Sequence, residues 1–407
     1  MEGSIKISGS KNSALSLIAA SILIKETRLA NVPKIKDIEN MLEIISFLGG
    51  QYEWLGAGSL IINTEKLESK PLPETARKFR ASILLAGPLL ARFNEVELPY
   101  PGGDIIGARP LDTHINALAD LGVELIKDEN LHLKVVGKLS GARLVLEESS
   151  VTATENILLL AAGIDHAVEI RLAATEPHVQ DLCNFLVKAG VDISGISATT
   201  LKIKGKNIPL NNVSHTVLGD ELEVSAFAVL AAAGHSQLAL SPVNFEYLDS
   251  VLLHLKKMNV NFELGENSLT ILPPQSPYKA FRIQAGLYPK LVSDHIPPFA
   301  VLATQAEGAS LIHEWLYEAR QSYIRELIKM GANAVIMDPH RALIIGPTPL
   351  YGKEVTSYDI RSGMTMVIAA LVAKGETTIL GVEHIDRGYE NLEERLRGIG
   401  ADIIRTD

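Results

Sequence analysis

The stretch Pro101–His114 combines an acid, a cation and a helix start in a way that suits a phosphate-containing ligand. Two glycines precede Asp104, and Arg109 follows. A helix is predicted over Thr113–Leu121, capped by Asp112 or by Thr113 itself, and its free N–H groups favour anions. The stretch therefore predicts a loop that presents a carboxylate for proton transfer and a guanidinium for anion binding. An ordinary surface loop of similar composition is the simpler alternative.

Cations recur at predicted helix starts along the chain, where the helix dipole makes a positive charge unfavourable unless an anion is near. These positions are Lys11, Arg80, Arg109, Arg320, Arg361 and Arg387. Acids at comparable positions have a simpler explanation in helix capping. They include Asp104, Glu155, Asp220, Glu221, Asp294 and Asp359. Arg361 beside Asp359 can form a structural ion pair, but the other cations indicate a common face that binds anions.

The composition is that of an α/β protein with more than one domain. The chain has 407 residues, 47% hydrophobic, 21% charged and 5% aromatic, which predicts two domains. A net charge of −10 argues against general nucleic-acid binding. The single cysteine, Cys183, excludes an intrachain disulfide and a cysteine metal cluster, and its helical context predicts a buried structural thiol. No secretion signal or long apolar run is found, so we expect a cytoplasmic protein without membrane association.

A repeated unit of about 70 residues positions these charged side chains. Six segments end on a similar helix stop, at Gly49, Gly122, Gly190, Asn259, Gly331 and Gly400. Glycine and asparagine suit the left-handed residue that follows a helix, and near-constant spacing signals a repeat. Each unit contains one apolar helix, one amphipathic helix and alternating strands. The apolar helices are predicted over 14–22, 81–90, 156–162, 224–233, 297–304 and 363–373. Helices that are apolar on all sides lie in the interior.

The residues at these positions resemble the enolpyruvyl transferase family over nearly the whole chain. The segments that carry the resemblance are Ile7–Ala14, Phe79–Ser82 with Gly87–Phe93, Pro101–His114, Ala153–Asn156 and Ile385–Glu390. The resemblance implies an α/β fold, a two-domain inside-out α/β barrel built from six βαβαββ repeats. Residues 1–10 and 219–407 would form a discontinuous catalytic domain. Residues 11–218 would form the second domain, which carries the 101–114 loop as a lid, with the active cleft between the domains.

The resemblance also implies a reaction. It is transfer of the enolpyruvyl group of phosphoenolpyruvate to the 3′-hydroxyl of UDP-N-acetylglucosamine, by addition and elimination, with release of phosphate. By the resemblance, this is the committed step of peptidoglycan precursor synthesis, and it would contribute to cell wall biogenesis, cell shape and cell division. No cofactor, metal, nucleic acid or obligate protein partner is expected.

The resemblance assigns roles by position. Asp104 would be the acid near the vinyl carbon, and Asp294 would take the 3′-hydroxyl proton. Lys11, Arg109 and Arg387 would hold the phosphate and carboxylate of phosphoenolpyruvate, and Asn12 would contact the sugar. Arg320 and Arg361 would brace the phosphate. The remaining residues of the nucleotide-sugar site would be Arg80, Pro110, Leu111, Asp112, Thr113 and Leu316.

The sequence departs from the usual pattern of the family in four places. Asp104 replaces the cysteine of many members, which predicts insensitivity to the thiol-alkylating epoxide fosfomycin. Glu221 stands where arginine is usual. The resemblance implies two crossings of the chain between the domains, near Ser10 and Gly219, and the second can therefore close differently. His295 with the two prolines that follow is atypical beside Asp294. The strand that usually comes before Gly3 is missing, so we expect a sheet of the catalytic domain to lack an edge strand.

Two alternatives stay open. The sister reaction on shikimate 3-phosphate expects Lys-Ser-x-Ser-x-Arg at the first helix, where this chain has Lys11-Asn12-Ser13-Ala14. A catalytically inactive scaffold that only binds a nucleotide sugar is the other, and the joint presence of Asp104, Asp294 and Arg387 argues against it.

Overall fold

A computed structural model describes residues 1–127 and 129–406 of the chain. The α-helices are α1 (Lys11–Ala20), α2 (Lys36–Phe47), α3 (Ala86–Phe93), α4 (Asp112–Ala119), α5 (Val151–Ala162), α6 (Pro177–Lys188), α7 (Glu221–Ala233), α8 (Asp249–Lys257), α9 (Ile296–Thr304), α10 (Ser322–Lys329), α11 (Ile360–Val372), α12 (Glu383–Asp386) and α13 (Leu392–Gly398). Short 3₁₀ helices cover Ser21–Leu23, Glu74–Lys78, Arg80–Leu85, Phe245–Tyr247 and Ser293–His295.

The strands are mostly short. They are β1 (Glu2–Lys6), β2 (Glu26–Ala30), β3 (Gln51–Gly56), β4 (Ser59–Asn63), β5 (Glu95–Leu98), β6 (Val123–Lys127), β7 (Leu131–Val135), β8 (Arg143–Val145), β9 (Ala167–Arg171), β10 (Asp192–Ser194), β11 (Thr200–Lys204), β12 (Val213–Thr216), β13 (Gln237–Ser241), β14 (Phe262–Leu264), β15 (Leu269–Ile271), β16 (Arg282–Gln284), β17 (Gly308–His313), β18 (Ala334–Asp338), β19 (Arg341–Gly346), β20 (Glu354–Thr356) and β21 (Thr378–Leu380).

Two compact units make up the chain. Unit 1 contains Met1–Ser8, Asp104–Ala108 and everything from Gly219 onwards, and unit 2 contains Gly9–Gly103 and Arg109–Leu218. These bounds differ from the predicted ones in two places. Gly9 and Ser10 belong to unit 2 rather than to the discontinuous unit. Asp104–Ala108, predicted as part of unit 2, belongs to unit 1 because its contacts lie there.

Each unit has its own core of apolar helices surrounded by sheets. In unit 1 the helices α7, α9 and α11 pack against one another, and in unit 2 α5 packs against α3 and α6 while α1 packs against α6. Almost every side chain of α1, α5, α7 and α9 is buried, which the absence of a polar face on these helices predicts. Their burial removes apolar surface from water, the main favourable contribution to folding.

Among the described residues, four sheets follow one plan, in which two parallel strands are followed by an antiparallel hairpin; β20-β21 has only the parallel pair, and β5-β7-β6 has only antiparallel pairs. In unit 1 the orders are β1-β13-β15-β14, β16-β17-β19-β18 and β20-β21, and in unit 2 they are β12-β2-β4-β3, β10-β11-β9-β8 and β5-β7-β6. The parallel pair β16 and β17 is joined through α9, and the hairpin β18–β19 completes the sheet after α10. The repeat predicted from the sequence therefore has a counterpart in the strand order of the four-stranded sheets.

The chain passes from unit 1 to unit 2 after Ser8 and returns after Leu218. The strand beside each of these two crossings pairs with a strand that is distant in the sequence. β1 pairs in parallel with β13 of unit 1, and β12 pairs in parallel with β2 of unit 2. At the crossings, the Asp220 N–H donates to the Ser8 carbonyl at 2.9 Å in unit 1, and the Ser10 N–H donates to the Leu218 carbonyl at 2.8 Å in unit 2. The first strand of each of these two sheets is therefore remote in sequence from its parallel neighbour.

Candidate active site

In unit 1, Asp294 lies between two buried arginines. Its Oδ1 is 2.7 Å from Arg320 Nη2, and its Oδ2 is 3.2 Å from Arg361 Nε. The arginine side chains are only 3% and 4% exposed, whereas the Asp294 side chain is 33% exposed. Three helix starts bring these residues together, because Asp294 lies in the 3₁₀ turn before α9, Arg320 shortly before α10 and Arg361 in the first turn of α11. The sequence analysis placed these three residues at helix starts, and the structure brings them together.

The surroundings of Asp294 keep it ionised. Burial by itself raises the pKa of a carboxyl, but the guanidinium groups of Arg320 and Arg361 outweigh burial and hold the Asp294 pKa well below its usual range. A carboxylate in this state can accept a proton from a hydroxyl, and the adjacent guanidinium groups can bind an anion. One cluster thus offers a proton acceptor and two anion-binding groups.

Further hydrogen bonds hold the two arginines in place. Arg320 Nη1 donates to Ser293 Oγ at 2.7 Å, and Ser293 Oγ in turn donates to Glu314 Oε2 at 2.5 Å. Arg361 Nη1 donates to Tyr389 Oη at 3.1 Å. Contacts of this kind fix the side-chain positions before any ligand arrives.

The predicted ion pair of Arg361 with Asp359 is wrong in detail. The Asp359 carboxylate accepts from the backbone N–H groups of Arg361 at 2.9 Å and Ser362 at 3.0 Å, and so caps α11. The Ser362 side chain completes a capping box with the Asp359 N–H. The guanidinium of Arg361 is therefore directed to Asp294 and Tyr389 instead.

The segment Asp104–Ala108 lies on unit 1. Asp104 Oδ1 accepts from Arg387 Nη1 at 2.5 Å, and both side chains are largely buried, at 17% and 14% exposed. Arg387 follows α12 and precedes Tyr389, which contacts Arg361. Asp104, Arg387, Asp294, Arg320 and Arg361 therefore belong to the same unit. Leu316, predicted for the nucleotide-sugar site, is half-buried in unit 1, and its N–H donates to Glu314 Oε1 at 3.0 Å.

In unit 2, Lys11 and Asn12 begin α1. Lys11 Nζ is 2.8 Å from Asp37 Oδ2, and both side chains are buried. Ser10 caps the helix by accepting from the Ser13 N–H at 3.4 Å, and Asn12 is half-buried. Lys11 is thus a buried cation at a helix N-terminus whose charge is balanced by an acid of the neighbouring helix α2.

Arg80 organises the backbone that follows Asp104–Ala108. Its Nη2 donates to the carbonyl of Arg109 at 2.6 Å and to that of Pro110 at 3.3 Å. The Arg109 side chain is half-buried, and Pro110 is exposed. Arg80 was predicted to contact a ligand, and here its guanidinium holds the turn that carries Arg109.

Helix α4 starts one residue earlier than predicted, at Asp112, and ends at Ala119. Leu111 is the N-cap residue and no side chain caps the helix, so capping by Asp112 or Thr113 is wrong. Leu111 and Thr113 are buried, whereas Asp112 is exposed. The first N–H groups of α4 therefore have no side-chain cap, a feature compatible with anion binding.

Two buried groups were not predicted as functional. Glu221 begins α7 and is buried, and burial together with nearby Asp220 raises its pKa to about 8. In unit 2, His114 is buried against Asn156 Nδ2 at 3.1 Å and Thr152 Oγ1 at 3.0 Å. Burial, followed by the charge of Arg80, lowers the His114 pKa to about 3, so its ring is neutral. The sequence signal for Glu221 was its departure from the usual arginine; for His114 there was none.

Cys183 is the buried structural thiol that the sequence predicted. Cys183 is buried, and burial raises the pKa of its thiol to about 12, which is typical of an unreactive structural cysteine. Within residues 1–127 and 129–406, no helix is long and apolar enough to cross a membrane. In the same part of the chain, no group of three or more histidine, cysteine, aspartate or glutamate side chains is arranged to hold a metal ion.

Residues 1–396 match the family described as EPSP synthase (3-phosphoshikimate 1-carboxyvinyltransferase). The chain belongs to this family of enolpyruvyl, or carboxyvinyl, transferases, which confirms the resemblance. Two relatives named UDP-N-acetylglucosamine 1-carboxyvinyltransferase are each 42% identical to it. The relative from Bradyrhizobium diazoefficiens aligns over 416 residues, covering 100% of this chain and 96% of that protein. The relative from Treponema denticola aligns over 413 residues, covering 99% and 96%.

Solved structures show the same fold. The enolpyruvyl transferase NikO from Streptomyces tendae has a TM-score of 0.90 at 22% identity and covers 99% of this chain and 95% of its own. An EPSP synthase from Acinetobacter baumannii has a TM-score of 0.73 at 18% identity, covering 98% and 96%. At these identities the likeness concerns the fold alone, and it confirms the predicted two-domain α/β architecture.

Proposed function

We propose that the protein transfers the enolpyruvyl group of phosphoenolpyruvate to the 3′-hydroxyl of UDP-N-acetylglucosamine and releases phosphate. The choice of acceptor is supported by the names of relatives that are 42% identical over the full chain. The observation that carries the chemistry is the Asp294 carboxylate, kept ionised between two buried arginines in the unit that also holds the Asp104–Arg387 pair. The reaction supplies peptidoglycan precursors and would thereby serve cell shape and division.

The proposed reaction needs one proton acceptor and one proton donor. Asp294 takes the proton of the 3′-hydroxyl as its oxygen bonds to C2 of phosphoenolpyruvate, and Asp104 supplies a proton to C3. The resulting tetrahedral adduct loses phosphate from C2 and a proton from C3, which restores the vinyl group. The proton from C3 returns to Asp104, and the proton that Asp294 took from the hydroxyl leaves with the phosphate, so both carboxyls regain their starting states.

The cations would bind the anionic groups of the two substrates. The phosphoenolpyruvate anion would compete with Asp104 for Arg387. Once released, the Asp104 carboxylate would take up a proton from water, which it could then donate. Arg320 and Arg361 would share their guanidinium groups between Asp294 and the phosphate. In unit 2 we assign anion binding to Lys11 and Arg109. The remaining contacts to the nucleotide sugar are assigned to Asn12, Arg80, Pro110, Leu111, Asp112 and Thr113, with Leu316 from unit 1.

Phosphate release with each candidate acceptor tests the proposal. Purified protein with phosphoenolpyruvate should release phosphate when UDP-N-acetylglucosamine is added, without any cofactor or protein partner. Shikimate 3-phosphate is the second acceptor to test, because the matching family carries that activity in its description. Release with shikimate 3-phosphate alone would assign the sister reaction, and release with neither would favour a scaffold that only binds. We also propose a cytoplasmic location, where phosphoenolpyruvate is made.

Fosfomycin should not inactivate this protein. The epoxide alkylates a thiolate, whereas position 104 holds a carboxyl group, which is a much weaker nucleophile. Cys183 is buried and its pKa is about 12, so it offers no thiolate at neutral pH. The variant Asp104→Cys should keep turnover and become inactivated with time, as measured by residual phosphate release after preincubation. Rapid covalent inactivation of the unsubstituted protein would contradict the role given to Asp104.

A further inference from the structure

A glutamate outside the predicted site holds the segment that carries Asp104. Glu318 Oε1 accepts from the Ala108 N–H at 2.7 Å, and the Ala319 N–H donates to the Ile106 carbonyl at 3.0 Å. The Ile106 side chain is buried, whereas Ile105 is 86% exposed. The consecutive residues Glu318 and Ala319 therefore both bind the backbone of Ile106–Ala108. Glu318 accepts one hydrogen bond and Ala319 donates another.

Gly107 permits this contact. Its φ is +147°, a conformation that favours glycine, and a Cβ atom at this position would lie 2.4 Å from Glu318 Oε2. Any larger residue would push the carboxylate away from the Ala108 N–H. The backbone of the segment and the side chain of Glu318 are thus in close contact at a position where only glycine fits.

The turn that contains Glu318 also positions Asp294, the other proposed proton-transfer group. It follows β17 and leads to α10, and Arg320 in this turn contacts Asp294 at 2.7 Å. Glu314 at its start fixes Arg320 through Ser293. Residues 314–320 therefore position Asp294 through Arg320, and reach the Asp104 segment through Glu318.

We propose that Glu318 is a positioning residue that holds Ile106–Ala108 so that the Asp104 carboxyl stays beside Arg387, within reach of the phosphoenolpyruvate that Arg387 would bind. The proposal rests on the proposed function, in which Asp104 donates a proton. Glu318 acts through the backbone N–H of Ala108 and not on the substrate. Its loss should therefore lower the rate of the chemical step more than it weakens binding of the nucleotide sugar.

Amide hydrogen exchange and steady-state kinetics test the proposal together. In Glu318→Ala, the Ala108 amide loses a charge-assisted hydrogen bond, so its exchange in the substrate-free protein should become about tenfold to a hundredfold faster. The kcat for phosphate release should fall about tenfold or more, with KM for UDP-N-acetylglucosamine changed less than about threefold. Glu318→Gln, which keeps an acceptor oxygen, should recover most of both losses.

Glu263→Ala is the matched control, because Glu263 is an exposed glutamate on β14 of the same unit; it should change neither quantity. Unchanged exchange at Ala108 in Glu318→Ala would overturn the proposal, and so would an unchanged kcat or equal losses in the glutamine variant. If the unsubstituted protein released no phosphate with UDP-N-acetylglucosamine, the proposed function would fail. The exchange measurement would still decide whether Glu318 holds the segment.

Discussion

Asp294 and Glu221 are both acids at helix starts of unit 1, and their surroundings shift their pKa values in opposite directions. Asp294 has two guanidinium neighbours that outweigh burial and keep its pKa low. Glu221 is buried beside Asp220, and its Oε2 has no hydrogen-bond partner within the described part of the chain, so its pKa rises to about 8. Two acids whose pKa values are shifted apart in this way can hold different protonation states at the same pH. Asp294 is ionised at neutral pH while Glu221 keeps its proton.

Glu221 should make the stability of the protein fall as pH rises from about 4.5 to about 8. In this window the unfolded chain has released the Glu221 proton and the folded protein retains it, so raising the pH favours unfolding. The charged groups that act on it are Asp220, Arg361 and Asp294, and Arg361 opposes the shift. Glu221→Gln imitates the neutral acid. It should therefore melt above the unsubstituted protein at pH 8.5, with a much smaller difference at pH 5.

Melting temperatures of the two proteins across this range check the prediction. Other acids that titrate with folding, such as buried Glu155, contribute equally to both proteins and cancel in the difference. Glu263→Gln, at an exposed position, serves as control. A difference between Glu221→Gln and the unsubstituted protein that does not change with pH would show that Glu221 is ionised in the fold.

At the scale of helices and turns, the ends of the repeated helices were predicted better than their beginnings. All six predicted stops, from Gly49 to Gly400, have a positive φ between 66° and 103°. A helix often ends on a left-handed residue, and glycine and asparagine adopt this conformation most readily. One residue in the sequence is therefore enough to predict the stop. Starts depend on tertiary partners: α5 begins at Val151, earlier than predicted, and residues 80–85 form a 3₁₀ helix before α3.

The site shows the same contrast between local and tertiary signals. Charge at helix starts pointed to Arg320, and the family resemblance pointed to Asp294 and Arg361; these three residues lie together. The contact of Glu318 with Ala108 joins residues 210 positions apart through a backbone N–H, which has no sequence pattern. The capping role of Asp359, in contrast, follows from its position one residue before a helix. Local chemistry could thus be predicted from the sequence, and long-range backbone contacts could not.

The cap of α11 should contribute measurably to stability. Asp359→Ala leaves the buried N–H groups of Arg361 and Ser362 without their acceptor, at a cost of about 0.5–2 kcal/mol. For a unit of this size the loss corresponds to a decrease of roughly 1–8 °C in the melting temperature. Asp359→Asn keeps an acceptor oxygen and should lose much less. Equal losses for both variants, measured by thermal unfolding, would assign the effect to charge and not to capping.

At the scale of the whole molecule, the two chain crossings have unequal steric requirements. A Cβ atom on Gly9 would lie 1.7 Å from the Asn31 carbonyl oxygen, whereas on Gly219 its nearest neighbour would be 3.7 Å away. Gly9→Ala should therefore destabilise the protein by about 3 kcal/mol or more, because the backbone must move to accommodate the methyl group. Gly219→Ala is the matched control and should be tolerated. Urea unfolding of both variants checks this, and similar midpoints would contradict it.

β1 and β12 each pair with a strand that is far away in the sequence. This affects how the protein can fold while it is being synthesised. Glu2 of β1 pairs with Gln237 of β13, so β1 leaves the ribosome well before the strand with which it pairs. At about 5–20 residues per second, that delay is roughly 10–50 s. β2 likewise waits for β12, at 213–216. During translation, both strands have an unpaired edge that chaperones would have to protect.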